Sequence, residues 1–161
     1  MNMNAEEWLF TIAFAGYILS ALAFIVAVPT HSEKWERRGL IVAVAGFVLH
    51  TAALVLRTIH AGRLPFSNQY EFAITFAWGI VLCFLLMARK YKLQAAGAAV
   101  MPIAFLMMGY ASMLSKEIKP LMPALQSNWL TTHVGMAVIS YGAFALAGGL
   151  GVMYLLRSRA L

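Results

Sequence analysis

Five apolar stretches follow one another along this chain: Trp8 to Val28, Leu40 to Ile59, Phe72 to Met87, Ala95 to Leu114 and Leu130 to Leu156. A helix needs about 20 mostly apolar residues to cross a hydrocarbon core about 30 Å thick. Four of the runs meet that length, and the short third one meets it by borrowing a turn from its flanks. Composition excludes a soluble core, because 62% of the residues are hydrophobic, 11% are charged and Asp is absent. A soluble domain devotes about a quarter of its residues to charge. The pattern predicts an all-α, polytopic membrane bundle of about five transmembrane helices, in a single domain over residues 1–161.

Charge then orients the bundle. The 12 Lys and Arg outnumber the 6 acidic residues, yet they lie in short clusters between apolar runs and not in one patch, which argues against nucleic acid as a partner. Basic residues collect in short loops that stay cytoplasmic. Lys34, Arg37, Arg38, Arg89, Lys90, Lys92, Arg157 and Arg159 fall on one side of a five-span chain; Arg57, Arg63, Lys116 and Lys119 fall on the other. The N-terminus is therefore expected outside and the C-terminus in the cytoplasm. Glu6 and Glu7 precede the first run where a secretory signal would be basic, so that run reads as a permanent span. Cys83, the one cysteine, sits in an apolar run and reads as a small buried residue.

Two outer loops, His60 to Glu71 and Ser115 to Trp129, are where function is expected to concentrate. In the first, Pro65 keeps the chain extended, and Asn68 with Glu71 has the spacing of a helix capping box. Of the four histidines, His31 falls in the basic loop and His60 at a helix end, where incidental roles are expected. His50 lies near mid-span, where a polar group is costly and faces a partner inside the bundle; Thr75 or a backbone carbonyl is the expected bond. Arg57 is two turns further on the same face, so His50 and Arg57 are expected to line one inward stripe. His133 stands at the outer mouth of the fifth span, with Trp129 one turn before it and Met136 three residues after it. An aromatic, an imidazole and a thioether on one face would wall a flat apolar ligand. Haem is such a ligand, its iron taking an imidazole and its propionates seeking Arg or Lys. Gly135, Gly142, Gly148, Gly149 and Gly151 make the fifth run smooth, as close helix packing requires, and Pro102 is expected to kink the fourth.

The string Arg63-Leu64-Pro65-Phe66-Ser67-Asn68-Gln69-Tyr70-Glu71, then Pro120-Leu121-Met122-Pro123-Ala124-Leu125-Gln126-Ser127, then Trp129-x-x-x-His133 with Ser140-Tyr141, resembles the CcsA (ResC-type) family of cytochrome c assembly proteins. The match runs in order from about the second span to the end of the chain. It implies a multi-pass protein of a bacterial-type inner membrane that handles haem b at the outer face for attachment to the Cys-x-x-Cys-His motif of apocytochrome c. It also implies that His133 is an axial ligand of the haem iron and that the loop from Pro65 to Glu71 shapes the surface beside it. The complete family acts as a haem lyase. Here the family's tryptophan-rich signature, Trp-Gly-x-x-Trp-x-Trp-Asp, and the histidines beyond it are missing. The chain is accordingly expected to work as the N-terminal part of a longer assembly domain, or with a second cytochrome c assembly membrane subunit.

The expected site is then His133, Trp129, Arg57, Arg63 and His50, with Arg57 or Arg63 steadying a propionate. Two alternatives stand beside it: a b-type haem electron-transfer anchor in which His50 and His133 share an iron, and a non-catalytic packing subunit. The anchor is disfavoured by depth, since the two histidines are roughly ten residues, or ~15 Å, apart along the bundle axis at helical rise.

Overall fold

The computed structural model describes residues 4–120, 123 and 126–158, the last two without their side chains. Five helices long and apolar enough to cross a membrane account for the fold: α1 (Ala5–Thr30), α2 (Glu33–Ala61), α3 (Gln69–Tyr91), α4 (Gly97–Ser112) and α5 (Asn128–Ser158). A short 3-10 turn, Gln94–Ala96, leads into α4. Each expected span carries a helix; the third gains a turn at both ends, and the fourth is shorter than expected, its α-helix running Gly97–Ser112. Lys34, Arg37 and Arg38, expected in a loop, instead belong to the first turns of α2, because the α1–α2 link is only His31 and Ser32. His31 adopts a left-handed conformation (φ 45°) that reverses the chain there. Arg89 and Lys90 close the last turn of α3, where cations suit the helix dipole. The backbone of α4 stays helical through Pro102.

Packing follows small residues. Along α2 the buried positions are Gly39, Ala43, Gly46, His50, Ala53 and Arg57, a stripe alternating steps of four and three, as an inward helix face requires. The stripe lies against α1, and where the two cross, a Cβ on Gly16 would stand 3.5 Å from the Gly46 Cα. Phe24 of α1 fills the other end of the bundle, edge-on to Phe84 with ring centroids 5.5 Å apart. A Cβ on Gly97 would meet that ring at 2.5 Å, so only glycine lets α4 start there. The centre belongs to α3, which packs on both α4 and α5 and touches α2.

Helix ends sort the charge. Glu6 at the start of α1, Arg57 near the end of α2, Glu71 at the start of α3 and the Lys116 carbonyl beyond α4 all meet at one end. The α1–α2 and α3–α4 links, with Lys34, Arg37, Arg38, Arg89, Lys90 and Lys92, lie at the opposite end. Arg159 and residues Leu121, Met122, Ala124 and Leu125 of the resemblance string lie outside the described residues.

Candidate haem-facing site

His133 is exposed. The residues of α5 turned toward the bundle are Val134, Val138, Gly142, Leu146 and Gly149. One residue before Val134, His133 is carried round to the opposite side. It lines a shallow open groove of about 360 Å³ with Met136, Ala137, Ser140, Tyr141 and Phe144. These positions are spaced as one face of a single helix. Trp129, 84% exposed, lies one turn before His133 and extends the same face. His133 has no hydrogen bond to another described residue, so its ring nitrogens are available to a ligand. The expected trio of indole, imidazole and thioether is therefore on one face, as a wall without an opposing wall.

Arg57 and Arg63 are elsewhere and occupied. Arg57 is 2% exposed. Its Nε and Nη2 donate to Glu71 Oε1 at 3.2 and 3.1 Å, and its Nη1 donates to Glu6 Oε1 at 3.2 Å and to the Lys116 carbonyl at 2.8 Å. Arg63 Nη1 donates to Glu71 Oε2 at 2.9 Å, and Nη2 to the Lys119 carbonyl at 3.1 Å. Glu71 is fully buried, and its Oε2 also accepts from the Ser67 N–H at 2.9 Å and the Ser67 hydroxyl at 2.8 Å. A buried carboxylate is tolerated only with such a complete set of donors. Both guanidinium groups, expected beside a propionate, already have carboxylate and carbonyl partners. The capping expectation holds in half, since Asn68 Oδ1 accepts from the Glu71 N–H at 2.8 Å. The Glu71 side chain turns to Ser67 and the arginines instead of completing the box.

His50 and Arg57 do share the inward stripe. His50 is wholly buried, and its expected partner Thr75 is engaged with the Glu71 and Pro65 carbonyls. The bond is made by Tyr17 of α1, whose hydroxyl lies 3.1 Å from His50 Nδ1, with Phe10 edge-on to the imidazole. That packing leaves no room for a porphyrin. His50 and His133 are not brought together, because α5 packs on α3 and, more lightly, on α4. The sequence reading missed Glu6, Glu71 as an ion partner, and Tyr17. A signal existed for the acids: Glu6 and Glu71 flank apolar runs at the end where topology puts Arg57 and Arg63.

The residues fit haem on one side only. An unengaged imidazole and an apolar, aromatic face suit one axial position and one side of the ring. Among the described residues there is no cluster of three His, Cys, Asp or Glu side chains that could hold a metal by itself.

This arrangement defines a polytopic helical membrane protein with an exposed histidine on the open face of α5. Comparison with known proteins sharpens that class. The family model described as "Cytochrome C assembly protein" matches residues 66–161, and the chain belongs to that family. It is similar to proteins named cytochrome c biogenesis protein CcsA. The one from Trieres chinensis is 36% identical over 78% of this chain and 43% of its own length. That from a Synechococcus strain is 35% identical over 95% of this chain and 52% of its own. That from a Synechocystis strain is 32% identical over 99% of this chain and 49% of its own. The chain spans about half the length of these relatives.

Proposed function

We propose that this chain supplies one wall of a haem-handling site at the non-cytoplasmic face of a bacterial-type inner membrane. His133 gives one axial imidazole to the iron of haem b, and Trp129, Met136 and Phe144 pack against the ring. The second axial ligand and opposing wall come from a second assembly subunit or a further part of the protein, and apocytochrome c receives the haem. Haem brings its own reactive vinyl groups; the chain's residues bind and orient it and exclude water. One observation carries the reading in a chain of this family: an imidazole with no hydrogen-bond partner among the described residues, on an open apolar helix face. Placing that end outside rests on the cation distribution between the two ends.

Arg57 and Arg63 act in this reading as the frame of the outer end, and His50 as a packed core residue hydrogen-bonded to Tyr17. The electron-transfer alternative needs His50 and His133 on one iron, and their placement gives it no support. The test is to co-express the chain with a second assembly subunit, purify the complex and record its absorbance. His133→Ala is expected to reduce the Soret band at least tenfold. A band of undiminished intensity in that variant, with the complex intact, overturns the assignment.

A further inference from the structure

The charged cluster at the outer end does more than neutralise itself. Arg57 and Arg63, which donate to the Glu71 carboxylate, and Asn68, which accepts from the Glu71 N–H, each have another arm on the backbone of the segment after α4. Arg57 reaches the Lys116 carbonyl at 2.8 Å, Asn68 Nδ2 reaches the Glu117 carbonyl at 3.5 Å, and Arg63 reaches the Lys119 carbonyl at 3.1 Å. Residues 115–120 have no regular secondary structure, so these carbonyls have no ladder of their own. Donors from α2 and the α2–α3 loop provide it. Ion pairing within α1–α3 alone would not require this, since Glu6 and Glu71 already balance the two arginines.

We propose that Arg57, Arg63 and Asn68, organised by Glu71, are positioning residues that clamp the 115–119 segment onto the outer end of the bundle. They thereby fix the rim from which α5 rises with Trp129 and His133. Because the acceptors are main-chain carbonyls, the clamp reads where the segment lies and not which side chains it carries. Lys119 shows the distinction: its ammonium points to Glu117 at 3.6 Å on the exposed side, while its carbonyl is gripped from below. Arginine is suited to the task because its planar fork can hold a carboxylate with one nitrogen and a carbonyl with the other, which a lysine ammonium on its single stem does not do in the same geometry. The link to His133 rests on the haem reading above; the grip on the segment does not.

The experiment uses the full chain in lipid nanodiscs and measures amide hydrogen exchange. Arg63→Lys keeps the charge facing Glu71 and loses the second arm, so exchange at 115–119 is expected to quicken at least tenfold while α2 and α3 amides are unchanged. Asn68→Ser keeps a capping oxygen for α3 and loses the reach to Glu117, so it provides a milder variant if the first does not fold. Lys119→Ala is expected to change nothing. Unchanged exchange in both clamp variants, or equal quickening in Lys119→Ala, overturns the clamp. With haem and the partner subunit present, Arg63→Lys is expected to shift or broaden the Soret band that His133→Ala abolishes; an identical band overturns the link to His133. Should His133→Ala itself leave the band intact, the haem reading fails and the exchange result still decides the clamp.

Discussion

At the end of the bundle where α1 begins and α2 ends, the Glu71 cluster and the His133 face of α5 show opposite kinds of completion. Around Glu71 every charged group has a partner and the carboxylate is sealed from solvent. Along α5 the large side chains Trp129, Met136, Tyr141 and Phe144 stand open, and only 22% of the helix's apolar window is buried, against 61% for α3. Polar groups inside a bilayer protein must satisfy one another or face a cavity, so the first region is built to hold its own shape. In the second, Phe76 of α3 meets Tyr141 edge-on with ring centroids 5.3 Å apart, and Trp129, Met136 and Phe144 stand exposed.

Removing one group from each region gives the largest contrast. Glu71→Ala leaves Arg57 buried without its main counter-charge and strips Ser67 and Arg63 of an acceptor. Breaking a buried pair in this way costs about 3–5 kcal/mol. His133→Ala removes an exposed side chain with no hydrogen bond to another described residue, and such changes stay within about 0.5 kcal/mol. Unfolding in mixed micelles titrated with a denaturing detergent measures both. If Glu71→Ala costs no more than His133→Ala, the contrast between the two regions is broken.

Sequence made the first-order features legible for a physical reason: a helix in lipid must be apolar over its whole length, so the spans are written as runs. The His50–Arg57 stripe was legible too, because its heptad step is local. What could not be read was which surface each helix presents to which neighbour. Tyr17 is 33 residues from His50 and Glu6 is 51 from Arg57; both pairings depend on how closely α1 and α2 cross, which Gly16 and Gly46 set. The same limit applies to His133. Its position at the mouth of a span could be counted from the sequence, but the sign of its exposure depends on α3 and α4 covering the face of α5 that carries Val138 and Gly142. The capping pair shows the limit in miniature, since Asn68 does cap α3 while the arginines take the carboxylate that would have completed the box.

The glycines of α5 sharpen the comparison within one helix, with a smaller effect. Sequence treats Gly142 and Gly148 alike, as small residues on a smooth run. In the structure a Cβ at Gly142 would meet the Gly79 carbonyl oxygen at 2.5 Å and Cys83 Sγ at 3.0 Å, whereas at Gly148 it would meet nothing within 4 Å. Backbone cannot yield as the tip of a side chain can, so Gly142→Ala must push α5 away from α3, at about 1–3 kcal/mol for overpacking. Gly148→Ala meets no obstacle and removes a flexible residue from a helix, for a gain of up to about 1 kcal/mol. The two variants should therefore move detergent-unfolding midpoints in opposite directions. Equal destabilisation by both would mean that the open face of α5 is already covered in the isolated chain. A Gly148→Ala variant that is more stable alone but weaker in binding a second assembly subunit would place that subunit's approach on the side of α5 where His133 stands free.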